Sequence, residues 1–170
     1  MRLHLGSGNK RIPNFKNVDI RGNVNVDVVA DVRNLHMFPT KSALEMYFCH
    51  GMEHLTYDDA AKALSEWRRV LIDGGRLRLS VPDFDKLVQL YRQRGLDKHV
   101  RAMICGGMDY EHNIHYSVWT YHVLEHFLTE AGYSGIRRYN PSDFLPDNYF
   151  DWSMLEIDGI AISINVEATA

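Results

Sequence analysis

The chain has 170 residues, which is enough for one domain with a sizeable buried core. A hydrophobic content of 45% and a charged content of 24% are ordinary for a globular protein, and no apolar run reaches bilayer-spanning length. The net charge of −3 argues against a nucleic-acid binder, which more often carries a basic stripe. Without a recognisable signal peptide or C-x-x-C spacing, we expect a cytoplasmic protein with two free thiols, Cys49 and Cys105, and no membrane partner.

The first predicted element is a short strand, Leu3 to Leu5, which runs directly into Gly6-Ser7-Gly8-Asn9. Glycine permits left-handed backbone and a close approach of the main chain to a ligand. In an open parallel sheet, ligands bind at the carboxyl ends of strands beside the switch point in strand order. The dinucleotide fingerprint needs a third glycine at position 11, where the chain has Arg11. We interpret the loop as the floor of a ligand pocket; a glycine turn without a ligand is the alternative.

The connection to the second predicted strand, 18–20, is too short for a full helix and contains Pro13, so we predict an irregular arch or a single turn. A loop without a helix N-terminus behind it lacks the dipole that holds a pyrophosphate, which favours a ligand without a diphosphate. Asp19, near the carboxyl end of that strand, is placed to accept hydrogen bonds from two ribose hydroxyls. The alternative is an Asx turn that caps the strand.

Strand-like runs alternate with helical patterns along the rest of the chain, which favours an α/β domain with a mainly parallel sheet. We predict strands at 26–32, 44–49, 76–81, 136–139 and 159–166. We predict helices from the N-cap Thr56 to a glycine cap at 73–75, over 84–94, over 97–105, and from the N-cap Thr120 to 131. The segment 106–119 is irregular and rich in aromatic residues and histidine.

Seven motifs in this order carry a resemblance to a known family: 3–9, 17–19, 29–32, 53–54, 66–77, 81–83 and 106–110. The chain resembles the class I S-adenosylmethionine-dependent methyltransferases, and more narrowly the small type-11-like group of bacteria and phages, often found beside glycan-biosynthesis enzymes. The resemblance covers nearly the whole chain. It implies a single domain, 1–170, with a Rossmann-like, mainly parallel sheet of seven or slightly fewer strands, helices on both faces and an antiparallel last strand.

The resemblance also implies S-adenosyl-L-methionine as cofactor and a role for each matching residue. The loop of Gly6, Ser7, Gly8 and Asn9 would form the floor against the methionyl part, and Asp19 would hold the ribose hydroxyls. Asp31 would accept from the adenine amino group, the Val32 amide would donate to a ring nitrogen, and His50 would face the methionine and sulfonium. A side chain at Gly6 would then enter the space of the cofactor without unfolding the protein.

The chain departs from the family pattern at several places. His4 replaces the acidic residue two places before the first glycine, and Lys10 replaces the third glycine of the broad pattern. The motif D/N-P-P-Y is replaced by residues 50–53, which counts against an adenine or cytosine amino group as substrate. Since no helix precedes the first strand, we expect a cavity that is open, closed by 106–119, or closed by another subunit, either a second copy or a partner.

Methyl transfer is an in-line displacement for which the protein mainly holds acceptor and donor together. A hydroxyl acceptor often also needs a base that titrates near neutrality, and His115, His54 and Glu53 are our candidates, followed by His112. Each could instead be a surface or capping residue. We predict methyl transfer to a hydroxyl of a small molecule or glycan, with 106–119 as the acceptor or lid segment.

Two alternatives to this function remain open from the sequence. The short chain leaves little acceptor-specific structure, so the protein could bind the cofactor without transferring its methyl group, or cleave it. A histidine-based metalloprotein or hydrolase is the other alternative, because the pattern H-x-x-E-H occurs at 50–54 and again at 122–126.

Neither copy of the pattern favours a metal ion strongly. The first spans the end of a strand and contains Gly51, and the second leaves little chain to supply a third ligand. We therefore predict no metal site, and we place His122 and His126 on a solvated helix edge. Leu64, Trp67 and Leu71 should be core, whereas Tyr110, Tyr116 and Trp119 either line an acceptor pocket or pack on the sheet.

Overall fold

The computed structural model describes residues 1–170 and contains nine strands, four α-helices and three short 3-10 turns. The strands are β1 (Arg2–Leu5), β2 (Lys16–Asp19), β3 (Val28–Val29), β4 (Ala43–Cys49), β5 (Leu71–Pro82), β6 (Ser134–Arg138), β7 (Glu156–Ile157), β8 (Ile160–Ala161) and β9 (Ser163–Thr169). The helices are α1 (Tyr57–Val70), α2 (Phe84–Arg94), α3 (Lys98–Cys105) and α4 (Tyr121–Glu130). The 3-10 turns are Met52–His54, Pro141–Asp143 and Trp152–Met154.

Seven strands form one mixed sheet in the order β3-β2-β1-β4-β5-β9-β6, and β7 and β8 form a separate hairpin. Strands β1 to β5 are parallel to one another, whereas β9 is antiparallel to both β5 and β6. The predicted fold class is confirmed, with seven strands, an antiparallel last strand and helices around the sheet. The strand order reverses between β1 and β4, so the carboxyl ends of these two strands flank the switch point where α/β sheets bind ligands.

One face of the sheet packs against α1 and α4 to form the main core. Alternate residues of the central strands, such as Leu3 and Leu5, point to this face and are fully buried. Trp67 of α1 is fully buried there, and its Nε1 donates to the Val32 carbonyl at 2.7 Å. The predicted core residues Leu64, Trp67 and Leu71 are therefore confirmed, and α1 is anchored to the chain that follows β3.

The opposite face of β1 and β4 is covered by loops and 3-10 turns. Tyr47 of β4 is fully buried under residues 12–15 and 144–145, and its hydroxyl donates to Asp151 at 2.6 Å. An ion network joins Glu45 of β4, Arg78 of β5 and Glu167 of β9, and Arg78 and Glu167 are buried. The hydrogen bond from Tyr47 to Asp151 thus ties the segment after Tyr139 to the sheet.

Several predicted elements have the expected bounds and others do not. The first crossover has only turns, as predicted, and α2, α3 and α4 lie within a residue or two of prediction. The predicted strand 26–32 is only Val28–Val29, because its partner β2 ends at Asp19 and offers nothing further to pair with. The predicted last strand 159–166 is divided between β8 and β9.

The predicted glycine cap of the first helix is wrong. Helix α1 ends at Val70, and Leu71 is already extended with ψ of 142° because it begins β5. The Lys41 and Ser42 amides donate hydrogen bonds to the carbonyls of Arg69 and Val70. These carbonyls at the helix end therefore have partners, and no glycine cap is needed. Gly74, with φ of +77°, instead makes a turn near the start of β5. No helix in the structure combines the length and the apolar character that crossing a membrane requires.

Candidate cofactor and active site

A cavity of about 430 Å³ lies at the carboxyl ends of β1, β2 and β4, in the size range of small-molecule sites. Of the predicted cofactor residues, those that line it are Gly6, Asp19, Asp31, Val32 and His50. Ser7, Gly8 and Asn9 do not line the cavity. The predicted lid segment contributes Tyr110, Glu111, His112 and Tyr116, so the sheet edge and this segment enclose one space.

The floor of the cavity depends on a phenylalanine that the sequence reasoning missed. The Phe48 ring lines the cavity and packs edge-on against Trp67, with ring centroids 5.1 Å apart. Gly6 has φ of +57°, and a Cβ there would lie 2.6 Å from Phe48 Cε2. A Cβ on Gly51 would also overlap this ring. Gly6 is therefore needed to accommodate the Phe48 ring. This corrects the expectation that a side chain added at position 6 would enter only the space of the cofactor.

Asp19 organises the loop as well as facing the cavity. Its Oδ2 accepts from the Gly8 N–H at 2.7 Å, and its Oδ1 accepts from the Arg21 N–H at 2.8 Å. Only 7% of the side chain is exposed. The second contact is the Asx turn considered as the alternative interpretation, and it coexists with a position on the cavity wall.

Three asparagines hold the glycine loop from the side of β2, and the sequence reasoning did not identify them. The Asn17 side chain donates to the Lys10 carbonyl at 2.6 Å, Asn23 donates to the Gly8 carbonyl at 2.9 Å, and Asn25 donates to the Asn9 carbonyl at 3.0 Å. These contacts replace the helix that usually follows such a loop. The recurrence of asparagine at 17, 23 and 25 was the available signal, but it does not identify the backbone carbonyls that these side chains bind.

The far wall of the cavity carries a set of paired charges that we call the acidic end: Asp19, Asp31 and Asp59 with Arg21 and Arg33. Arg33 donates to Asp31 at 2.6 Å and to Asp59 at 3.0 Å, and the Arg33 hydrogen bonds hold the pKa of the Asp31 carboxyl below its usual value. The Asp31 side chain is 30% exposed. The Val32 N–H beside it has no hydrogen-bond partner in the chain.

His50 lies at the end of β4 with a left-handed backbone, at φ of +49°. Its Nε2 lies 2.8 Å from Ser163 Oγ, and its Nδ1 lies 3.5 Å from Glu53 Oε1. Burial, reinforced by His115 and His54, lowers the pKa of His50 to about 3. His50 is therefore a neutral group on the cavity wall.

The three candidate catalytic residues come together into what we call the histidine cluster: Glu53, His54 and His115. One possible ligand atom from each lies within 4.8 Å of the others, and the two imidazole rings meet edge-on with centroids 4.7 Å apart. His54 also lines the cavity. The Tyr116 N–H donates to the Glu53 carbonyl at 2.8 Å, which fastens the 106–119 segment to the 3-10 turn after β4.

Burial sets the charges of this cluster. It raises the pKa of Glu53 to about 8, and Oε2 of Glu53 has no hydrogen-bond partner. Burial lowers the pKa of His115 to about 4, with a further contribution from His54, and it lowers the pKa of His54 as well. Both imidazoles are therefore neutral near pH 7, and each can accept a proton or bind a cation through a free ring nitrogen.

The other aromatic and histidine candidates divide into core and surface. Trp119 is fully buried and packs against Phe127, whereas Tyr110 and Tyr116 are 40% and 57% exposed and line the cavity. His112 also lines the cavity but lies outside the histidine cluster. His122 and His126 are exposed on α4, which confirms the solvated helix edge.

No family profile and no curated protein matches the chain. Solved structures do match it. A protein from Thermotoga maritima described as a possible histamine N-methyltransferase is 18% identical with a TM-score of 0.63, covering 99% of this chain and 81% of its own. The Burkholderia thailandensis 1,6-didemethyltoxoflavin-N1-methyltransferase, solved with S-adenosylhomocysteine, is 14% identical with a TM-score of 0.57, covering 99% and 69%.

A third similar structure is a Haloferax volcanii protein in complex with the Trm112 methyltransferase activator. It is 13% identical with a TM-score of 0.58, and the match covers 99% of this chain and 81% of that one. At identities this low, the likeness is one of fold. The strand order, the antiparallel β9 and these structural matches together show that the chain has the fold of the class I S-adenosylmethionine-dependent methyltransferases.

Proposed function

We propose that the protein is an S-adenosylmethionine-dependent methyltransferase that acts on a hydroxyl group of a small molecule or glycan. One observation carries the proposal. Residues expected from the resemblance to contact the cofactor, at the ends of four different strands, line one cavity, and His54 lines the same cavity. These residues are far apart in the sequence, and the sheet brings them together because the carboxyl ends of its parallel strands meet at one edge.

The cavity fits the proposed cofactor in polarity as well as position. The Val32 N–H has no partner in the chain and is free to donate to an adenine ring nitrogen. Asp31 is 30% exposed and can accept from an adenine amino group, while Asp19 faces the ribose position.

When bound, S-adenosylmethionine supplies an electrophilic methyl group, whose transfer to an oxygen breaks an S–C bond, forms an O–C bond and releases one proton. Gly6 and the Phe48 ring form the floor, Asp19 and Asp31 hold the adenosyl part, and neutral His50 bounds the end near β4. These residues orient the methyl donor and hold it in one position, which is the main requirement of an in-line displacement.

The histidine cluster is where the acceptor hydroxyl is held and loses its proton. His54 reaches the cavity, and burial keeps both imidazoles neutral, as a proton acceptor must be. Tyr110 and Tyr116 of the 106–119 segment supply apolar surface with polar tips beside it. Such surface suits a hydroxylated ring, and we assign the segment as the acceptor or lid segment.

Calorimetric titration of the full-length protein with S-adenosylhomocysteine tests the cofactor assignment. We expect binding that weakens by roughly 10-fold or more in Asp31→Ala, the effect of losing a hydrogen bond to a charged group. Asp58→Ala, an exposed acid of α1 outside the cavity lining, is the matched control and should bind as the parent does. Parent protein that fails to bind at about 1 mM would refute the assignment.

A second measurement separates methyl transfer from the alternative reactions of the cofactor. Protein incubated with S-adenosylmethionine alone should leave it intact, and a panel of hydroxylated small molecules and glycans should contain an acceptor that is methylated. Breakdown of the cofactor without an acceptor would instead favour a cleaving enzyme.

The open cavity leads us to propose that another subunit, a second copy of this chain or a partner, covers it during turnover. Ile20, Tyr110 and Tyr116 are exposed hydrophobic residues on the cavity lining. The similar Haloferax volcanii protein is bound to an activator subunit, which supports this arrangement. Light scattering with and without S-adenosylhomocysteine tests for self-association; a monomer under both conditions leaves the partner or the 106–119 segment to close the site.

A further inference from the structure

The histidine cluster has the composition and the surroundings of a metal centre. We propose that Glu53, His54 and His115 bind a divalent first-row transition-metal ion such as Zn²⁺ beside the cavity. A carboxylate with two imidazoles is a recurrent ligand set for zinc and for other first-row ions that keep open coordination positions. Each residue offers one ligand atom, and all three atoms lie within 4.8 Å of one another.

Hydrogen bonds from Nδ1 to backbone carbonyl oxygens orient both imidazoles for this role. His54 Nδ1 lies 3.1 Å from the Ile114 carbonyl oxygen, and His115 Nδ1 lies 3.0 Å from the Met103 carbonyl oxygen. A carbonyl oxygen only accepts, so each Nδ1 carries the proton and each Nε2 keeps its lone pair. Metal-binding histidines typically donate their other N–H to a carbonyl in this way, which fixes the tautomer and the ring orientation.

Glu53 provides the second, independent observation. The residue is 2% exposed, and its Oε2 has no hydrogen-bond partner, although buried carboxylates are almost always paired. Its other oxygen, Oε1, lies 3.5 Å from His50 Nδ1. A buried carboxyl with one unpartnered oxygen beside two imidazole rings indicates a cation that completes the group.

The three side chains are held in place by backbone contacts between remote segments. The Tyr116 and Ser117 amides donate to the Glu53 carbonyl at 2.8 and 3.2 Å, and the His115 amide donates to the Cys105 carbonyl at 3.1 Å. These bonds fasten the segment carrying His115 to the turn carrying Glu53 and His54. The ligands on an ion with bonds of about 2.1 Å are about 3.4 Å apart in tetrahedral geometry, so a bound ion would draw these atoms closer than the 4.8 Å within which they lie.

The cluster has one side toward the cavity and one side buried. His54 lines the cavity, whereas Glu53 and His115 line a separate small void of about 10 Å³, at the lower limit for holding one water molecule. An ion between them would expose its open coordination positions to the cavity. The inference on its role rests on the proposed function: the ion would bind the acceptor hydroxyl and lower its pKa, and the released proton would go to solvent.

The prediction that the chain has no metal site depended on judging each H-x-x-E-H pattern by itself, without ligands from other parts of the chain. The structure groups the residues differently, since Nε2 of His50 faces Ser163 and His115 joins Glu53 and His54 from another part of the chain. Pattern spacing alone does not show this grouping.

Calorimetric titration of the full-length protein, stripped with chelator, with ZnCl₂ tests the proposal. We expect one Zn²⁺ per chain, with Mg²⁺ at least about tenfold weaker because it prefers oxygen ligands. His54→Gln, His115→Gln and Glu53→Gln should each weaken Zn²⁺ at least about 30-fold. His122→Gln is the control, because its side chain is 92% exposed on α4, and it should bind zinc as the parent does.

Thermal unfolding provides a readout that does not depend on activity. Zinc should raise the Tm of the parent and of His122→Gln, and it should leave the Tm of Glu53→Gln unchanged. Without metal, Glu53→Gln should be at least as stable as the parent, because the substitution removes an unpaired buried acid. A metal-free Glu53→Gln protein that is clearly less stable would show that the carboxylate already has its partner in the protein, and would count against the proposal.

The proposal is overturned if the parent binds no zinc at about 1 mM, or if His115→Gln and Glu53→Gln bind it as tightly as the parent does. Titration of the same variants with S-adenosylhomocysteine keeps the two proposals separate. Cofactor binding without zinc binding refutes the metal site and leaves a histidine as the base. Zinc binding without cofactor binding refutes the proposed function and leaves a metal centre.

Discussion

The acidic end and the histidine cluster lie on one cavity, but the carboxylates of the first have partners and the carboxylate of the second has an oxygen without one. At the acidic end, Asp31 and Asp59 share Arg33, and both oxygens of Asp19 accept backbone N–H groups. In the histidine cluster, Glu53 Oε2 is buried without a partner. Carboxylates that already have partners contribute to folding, whereas an unpaired buried carboxylate opposes folding until a ligand joins it.

This difference separates two kinds of substitution. Changes at the acidic end and its supporting loop should lower stability together with cofactor affinity, because the same atoms hold the loop. Changes in the histidine cluster should leave the metal-free fold intact and remove ligand binding. The following predictions test this division, from the largest expected effect to the smallest.

Gly6→Ala tests the cavity floor that Gly6 and Phe48 form. The new methyl group meets the Phe48 ring at 2.6 Å and forces a left-handed alanine, so unfolding free energy should fall by roughly 3 kcal/mol. Gly8→Ala has a similar φ of +55° but open space around its Cβ, and should lose only about 1 kcal/mol in urea unfolding. The double variant Gly6→Ala/Phe48→Leu should recover part of the loss; equal losses at Gly6 and Gly8 would contradict the role given to Phe48.

Asp19→Ala tests whether the acidic end supports the fold. Two backbone N–H groups lose a charged acceptor, so unfolding free energy should fall by roughly 2–3 kcal/mol. S-adenosylhomocysteine should bind more weakly as well. Asp59→Ala serves as the comparison, because that carboxylate pairs only with surface cations and should lose under about 1 kcal/mol. A stable Asp19→Ala protein would mean that the loop is held mainly by the asparagines.

His4 gives a pH dependence that must be subtracted before any acid effect is assigned to the histidine cluster. Burial lowers the pKa of His4 from 6.5 to about 4, so between these values the unfolded chain binds more protons than the folded one. Stability should therefore decrease as the pH falls from 7 to 5, by roughly 2 kcal/mol from this residue. His4→Gln should reduce the slope of stability against pH by this amount in urea unfolding at several pH values, with the rest due to other buried histidines such as His50, and His122→Gln should leave the slope unchanged.

Arg33→Gln tests the paired charges themselves and should have the smallest effect on folding. Arg33 is 44% exposed, and exposed ion pairs contribute under about 1 kcal/mol because water and salt screen them. Any loss should shrink further in high salt. A large loss of stability in chemical denaturation would show that the Asp31–Arg33–Asp59 network is structural rather than part of the cavity wall.

The two ends of the cavity also differ in how far sequence reasoning reached them. Asp19 and Asp31 follow strands whose ends could be located from apolar runs and turn residues, and both line the cavity as expected. The role of Gly6 was only half understood, because its neighbour Phe48 belongs to another strand. The asparagines at 17, 23 and 25 were missed because their partners are backbone carbonyls of a loop, which no side-chain pattern identifies.

The sequence by itself determined the order of strands and helices, the glycine loop and the acids at the strand ends, because periodicity and turn chemistry act over a few neighbouring residues. Only the tertiary structure decided that His115 joins Glu53 and His54. The segment 106–119 has no periodic pattern, and its position depends on backbone hydrogen bonds to the turn after β4 and to the end of α3. Contacts between such distant segments arise from packing of the whole chain, so local rules do not contain them.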